Sequence, residues 1–239
     1  MSEILLQNKN ASMQVDTFGA YVNTLHLNGE TVFFPKTELN INGSRKLRGG
    51  MHVCLPQFGP DAGEHLAQHG FGRTSDWQIA AQSENSLSLT LQAQTPGYEH
   101  VEWQLDYSLP DEKEAVATLT VRNRGDQPIR TSPGFHPYFS AEHNCFDFNG
   151  HDYDGNKISQ TEFVTSPLES NVAFDRLRIN IHTENLPVYA LWSDRNGSYT
   201  CVEPTAEGYG FMHPADDMQF VPANGEKQFQ VKIGLKAAA

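Results

Sequence analysis

Two histidines, one glutamate and a pair of arginines stand in this chain where local backbone signals would make them available for chemistry. His69 lies in Gln68-His-Gly-Phe-Gly-Arg73, between turn residues and an aromatic anchor. The two glycines let the main chain approach a ligand closely, and Arg73 adds a fork of donors suited to hydroxyls or phosphate. His136 lies in Pro133-Gly-Phe-His-Pro-Tyr-Phe139. Pro137 biases it toward extended backbone, so the imidazole projects from a strand end among aromatics, where it can act as general acid or base near neutral pH. Glu203 lies in Tyr199-Thr-Cys-Val-Glu-Pro204, whose apolar neighbours put the carboxylate in or near the core. A carboxylate there is costly unless it is paired or used.

Each of these residues also has a plainer reading. His69 would otherwise be a turn histidine, His136 a satisfied core histidine, and Glu203 half of a salt bridge to Arg48 or Arg73. Asp175, in Phe174-Asp-Arg-Leu-Arg178, equally suits a solvated edge strand. His65 and His69 are four apart, as zinc ligands on a helix would be. Gly63, Gly70 and Gly72 argue against that helix and no third ligand is evident, so no metal site is expected.

The elements that must position these residues read as strands. Leu87-Ser-Leu-Thr-Leu91, Trp103-Gln-Leu-Asp-Tyr-Ser-Leu109 and Ala115-Val-Ala-Thr-Leu-Thr-Val121 alternate with period two, and a turn at Pro110-Asp-Glu-Lys113 makes 101–123 a hairpin. Asn28-Gly29, between 21–27 and 31–34, is a strong short hairpin signal. Segments 218–221 and 229–235 flank a further turn at Pro222-Ala-Asn-Gly-Glu226. No stretch of ten residues reads as an amphipathic helix. No linker or repeat divides the chain, so residues 1–239 are expected to form one large antiparallel sandwich or barrel.

Composition narrows the partners. A formal net charge of -12 over 239 residues repels a phosphate backbone, so nucleic acid is not expected. No apolar run spans a bilayer and the first residues carry no basic, then apolar, leader. Three widely spaced cysteines, Cys54, Cys145 and Cys201, suit reduced thiols in a cytoplasm. The sequence favours neither a monomer nor a dimer.

Four segments in order carry a further likeness: Arg48-Gly-Gly-Met-His-Val-Cys-Leu-Pro-Gln-Phe-Gly-Pro60, Gln68-His-Gly-Phe-Gly-Arg-Thr-Ser-Asp-Trp77, Gly134-Phe-His-Pro-Tyr-Phe139 and Cys201-Val-Glu-Pro204. Together they resemble the aldose 1-epimerase (galactose mutarotase-like) superfamily, nearest its hexose-6-phosphate mutarotases. Gly19-Ala-Tyr-Val-Asn-Thr-Leu25, Val121-Arg-Asn-Arg-Gly-Asp-Gln-Pro128 and Phe220-Val-Pro-Ala-Asn-Gly-Glu226 extend the likeness over about residues 15–235. It implies an all-β, antiparallel β-supersandwich with a concave sugar site and no cofactor. It also implies roles: Glu203 as general base, His136 as general acid and His69 as a second histidine near the ring oxygen. Arg48 and Arg73 would line the pocket or hold a phosphate, and Gln57 and Asp175 would contact the sugar.

The substrate is left as a sugar or a sugar phosphate, because Leu191-Trp-Ser-Asp-Arg-Asn-Gly-Ser-Tyr199 lacks the longer Trp-Asn-Pro-Trp-like segment of the phosphosugar branch. Phe58, Phe71, Tyr138 or Trp77 would offer an apolar wall to the sugar. Two other readings compete. A non-catalytic carbohydrate-binding module has no need for Glu203 and His136 together. A glycoside hydrolase would need Glu203 and Asp175 as a carboxylate pair across one bond.

Overall fold

In the computed structural model, which describes residues 2–63, 65–215 and 219–236, the chain forms two nine-stranded antiparallel sheets and two small two-stranded ribbons. The period-two segments become the strands of one large sheet. Val101–Asp111 pairs with Glu114–Asn123 on one side and Ser86–Gln92 on the other, and Glu226–Leu235 extends the sheet beyond Glu114–Asn123. Leu89, Leu105, Leu119 and Phe229 fall opposite one another in consecutive strands and are fully buried. Each side chain in this row contributes about 1.5–3 kcal/mol by leaving water.

The expected hairpins form with small shifts. Tyr21–Leu27 turns through Asn28 and Gly29, both at positive φ, into Glu30–Thr31. The later hairpin turns at Glu112 and Lys113, the second half of the expected turn, with a register shift between Ser108 and Asp111. Helix among the described residues is limited to the 3-10 turns Gly72–Thr74 and Gly210–Met212 and to the 3-10 residue Gln219.

The closing segment departs from expectation. Phe220–Val221 pairs with Ile129–Arg130 and not with Glu226–Leu235. Pro222 has no N–H with which to continue a ladder, and the side-chain amide of Asn123 donates to the carbonyls of Val221 and Pro222. Met218, at the head of that expected strand, lies outside the described residues. No helix among the described residues is long and apolar enough to cross a membrane.

The second large sheet carries the candidate residues His136 and Glu203. At its centre Met51–Cys54, Gly134–Ser140 and Tyr199–Thr205 are neighbours, with Tyr21–Leu27 on one side and Val188–Trp192 on the other. Strand parity sends Val53, Phe135, Phe139, Leu191 and Val202 into the core between the sheets. The alternate residues face away from that core.

Candidate active site

The outward set on the three central strands is polar, and it is nevertheless buried. His52 pairs with His136, which lies between the pairs Gly134–Thr205 and Tyr138–Cys201, so His136 is brought opposite Glu203. Nε2 of His136 stands 3.3 Å from Oε2 of Glu203, a close approach without hydrogen-bond alignment. The row His52–His136–Glu203 therefore follows from register, although its members lie up to 151 residues apart (203 − 52).

Loops convert this sheet face into a cavity of about 540 Å³. One wall comes from the 57–73 loop. There the amide of His69 donates to the Gly59 carbonyl at 2.8 Å, and the Gly59 N–H donates back to Nδ1 of His69 at 3.2 Å. His69 adopts a left-handed φ of 66°, followed by Gly70 at 67°. Any Cβ on Gly70 would strike the Leu55 carbonyl, so only glycine lets the loop lie this close to the strand. Because Nδ1 of His69 accepts from Gly59, Nε2 carries the proton of the neutral ring, and the side-chain amide of Gln68 lies 3.4 Å from it.

Further lining comes from Lys46, Leu47 and Arg48, on the ribbon that Ser44–Arg48 forms with Thr37–Ile41, and from Trp192. Nε of Arg48 donates to Oδ2 of Asp194 at 2.8 Å, its guanidinium lies over Trp192, and Asp194 also accepts from the Tyr199 hydroxyl. Arg48 is thus fixed and its charge compensated. Arg73, also in the lining, donates only to the Gln68 carbonyl and makes no ion pair among the described residues. In a chain of net charge -12, this mouth is locally cationic.

Burial sets the protonation of the pair. It pushes Glu203 well above the ordinary carboxylate value and leaves its Oε2 without a hydrogen-bond partner. His136 is held well below the usual histidine value by burial first, then by repulsion from His52, His69 and Arg73. His69 is lowered to about 3 by burial and by Arg73. His136 is also the third ring of a stack. Centroids run Tyr21–His52 at 5.3 Å, His52–His136 at 4.7 Å and His136–Tyr138 at 4.8 Å. The resting site therefore favours a protonated glutamic acid beside a neutral imidazole.

Glu203, His136, His69, Arg48 and Arg73 all line this one cavity. Two sequence expectations fail. Gln57 is fully buried behind the loop, where its amide donates to the Ala67 carbonyl at 2.9 Å, so it braces the wall and does not reach the cavity. Asp175 lines a different cavity with Glu30 and Arg176 and pairs with His143 at 3.5 Å. The carboxylate pair of a hydrolase built on Glu203 and Asp175 is therefore not assembled. Of the expected aromatic walls, Phe58 and Tyr138 line the site, while Phe71 and Trp77 pack into the core. His65 is exposed and does not join His69.

Sequence reasoning missed His52, Trp192, Asp194, Tyr209 and Lys46. The available signal for His52 was its place in Arg48-Gly-Gly-Met-His-Val-Cys54, a segment already singled out, where alternation sets it on the same face as Cys54. Tyr209, hydrogen-bonded to Thr161 at 3.2 Å, reaches the site from a loop with no local signature.

With this geometry in hand, similarity to known proteins is informative. The family model described as Aldose 1-epimerase matches residues 2–171. Over 97 residues, 40% of this chain, the sequence is 31% identical to the "Putative glucose-6-phosphate 1-epimerase" of Salmonella typhimurium. That match spans 33% of the curated relative's length. A galactose mutarotase-like protein from Lactobacillus casei superposes with a TM-score of 0.80 at 15% identity, covering 98% of this chain and 100% of that one. A galactose mutarotase related enzyme from Lactobacillus acidophilus gives 0.78 at 14%, covering 99% and 98%. At such identities the structural matches establish the galactose mutarotase-like fold.

Proposed function

Since this chain belongs to the aldose 1-epimerase family, we propose that it interconverts the α and β anomers of an aldohexose 6-phosphate, with Glu203 as base and His136 as acid. The observation that carries this reading is the 3.3 Å approach of an imidazole and a carboxylate inside a cavity with a cationic mouth. Anomer exchange needs a proton taken from the C1 hydroxyl and another given to the ring oxygen. Both oxygens are bonded to C1, so one acid and one base side by side can serve them together.

The proton count of the site suits that reaction. A carboxylate beside an imidazolium and a carboxylic acid beside a neutral imidazole hold the same number of protons, so the pair titrates as a unit. On ring opening, Glu203 gains the C1 hydroxyl proton and His136 gives one to the ring oxygen, which leaves both side chains neutral. That is the state burial favours, and it matches the open-chain sugar. After rotation about C1–C2, closure on the other face returns both protons by the reverse route. His69 donates through Nε2 to the ring oxygen or its neighbour, and Phe58 offers an apolar wall.

The phosphate assignment is supported by the unequal arginines. Arg48 is already neutralised by Asp194, whereas Arg73 and Lys46 have charge to spare for an anion. The name carried by the Salmonella relative points the same way. The three free cysteines fit a reducing compartment. Anomer-resolved NMR exchange on glucose 6-phosphate, glucose and galactose tests the reading. Acceleration is expected for the phosphate, at least about tenfold above the free sugars, as about 1.5–3 kcal/mol of charged hydrogen bonding would give. Acceleration of free sugars alone would remove the phosphate, and acceleration of none would overturn the reading.

A further inference from the structure

Cys201 has no part in proton transfer, yet strand parity sets it on the cavity face two residues before Glu203 and directly opposite Tyr138. Its Sγ, a ring nitrogen of His136 and a carboxylate oxygen of Glu203 all lie within 4.8 Å of one another. All three side chains are buried, and Oε2 of Glu203 is without a hydrogen-bond partner. Sulfur, imidazole nitrogen and carboxylate oxygen are the three donor types that zinc combines, at metal–ligand distances of about 2.0–2.3 Å. Tetrahedral geometry at those lengths sets donors about 3.3–3.7 Å apart, so closure needs side-chain shifts of no more than about 1 Å. His136 and Glu203 line the cavity, through which a hydrated ion can reach them, and the buried Cys201 stands on the same sheet face behind them.

We propose that Cys201, His136 and Glu203 form a site for one zinc- or cadmium-like divalent ion, and that its binding switches off the acid–base pair. The donor set is soft enough to disfavour magnesium and calcium, which take oxygen ligands. Binding displaces the thiol proton, and any proton on Glu203, to solvent. It then occupies the imidazole nitrogen and carboxylate oxygen that the epimerase reading uses, so metal and sugar exclude each other. The sequence gives no hint of this triad, because positions 136, 201 and 203 match no ligand spacing and converge only through strand register. The site itself stands on geometry. Only the inhibition rests on the epimerase reading.

Cadmium is the probe, because its thiolate complexes absorb in the ultraviolet by sulfur-to-metal charge transfer. Titrating the reduced protein with Cd²⁺ is expected to raise this band to one equivalent, with loss of anomer exchange in the same proportion. Glucose 6-phosphate is expected to oppose both. Cys201→Ser and Cys201→Ala are expected to lack the band and to need at least about tenfold more metal for half-inhibition, each measured against its own metal-free rate. Two variants are used so that misfolding of one leaves the other to decide, while Cys145→Ser, which alters an exposed thiol, should keep the band. A band that survives both Cys201 variants, or vanishes with Cys145, overturns the proposal, as does equal metal sensitivity in all variants. A Cys201-dependent band in a protein with no metal-free anomer exchange would sustain the site and sink the epimerase reading.

Discussion

Two cross-strand rows run through this molecule, one in each large sheet. Leu89, Leu105, Leu119 and Phe229 form an apolar row, and the central strands that contribute to it alternate between buried and partly exposed residues. His52, His136 and Glu203 form a polar row on strands buried along both faces. In the first, every member lowers the free energy of folding. In the second, both nitrogens of His52, Nδ1 of His136 and Oε2 of Glu203 are buried without hydrogen-bond partners. Each such group costs about 1–3 kcal/mol. The same β geometry therefore serves stability in one sheet and holds titratable polar groups against their solvation preference in the other.

The sharpest way to break this contrast is to exchange the expected effects. Glu203→Gln and His136→Asn should each lower kcat/KM for anomer exchange about 10²–10⁴-fold while the protein stays folded. Leu119→Ala should do the opposite, costing about 2–5 kcal/mol of stability with little change in the kcat of the folded fraction. Denaturant unfolding and NMR exchange on the same samples measure both. A Glu203→Gln protein with full activity, or a Leu119→Ala protein with its stability intact, would dissolve the division.

The apolar row was legible because its signal is local. Leu87-Ser-Leu-Thr-Leu91 and Ala115-Val-Ala-Thr-Leu-Thr-Val121 alternate in plain view, and period two alone gives the face. His136 and Glu203 were legible because proline-flanked, apolar surroundings made each conspicuous. Their juxtaposition was not, because register across Gly134–Thr205 and Tyr138–Cys201 is a tertiary fact. Asp175 was placed at the sugar by the family likeness alone, while its own neighbours equally suit a solvated edge strand, and only the fold assigns it to a cavity with Glu30 and Arg176. Gln57 lies in the right segment, but its parity turns it behind the loop. Asp194 and Tyr209 reach the site from irregular loops, where no period exists to read.

Within the polar region the two arginines offer a smaller and finer comparison. Arg48 is bonded to Asp194 and covers Trp192, whereas Arg73 holds only a backbone carbonyl. Arg73→Ala should raise KM for glucose 6-phosphate by about 10–100-fold, the equivalent of about 1.5–3 kcal/mol of charged hydrogen bonding, and leave kcat nearly unchanged. Any turnover of free glucose should be insensitive to it. Equal losses on both substrates would mean that Arg73 shapes the cavity and does not bind phosphate.

The smallest effect concerns pH, and it tests whether burial of Glu203 costs stability as the polar row implies. Its folded pKa is raised by burial, so the native state keeps a proton that the unfolded chain loses above the ordinary carboxylate value of 4.5. Stability attributable to this group is fully present below that value and is lost as pH rises toward the folded pKa. Glu203→Gln removes the titration, so wild type should lose stability relative to the variant as pH rises, by at most about 1.4 kcal/mol per pH unit. His136 has the opposite sign. Its folded pKa is depressed, so the unfolded chain gains a proton below the ordinary histidine value of 6.5 and stability falls toward acid. Urea unfolding of wild type, Glu203→Gln and His136→Asn between about pH 5 and 8 separates the two slopes. The difference between wild type and Glu203→Gln should widen toward alkali, and that between wild type and His136→Asn toward acid. Parallel curves for wild type and Glu203→Gln would mean that the carboxylate is solvated in the free protein, and the contrast between the two rows would then rest on shape alone.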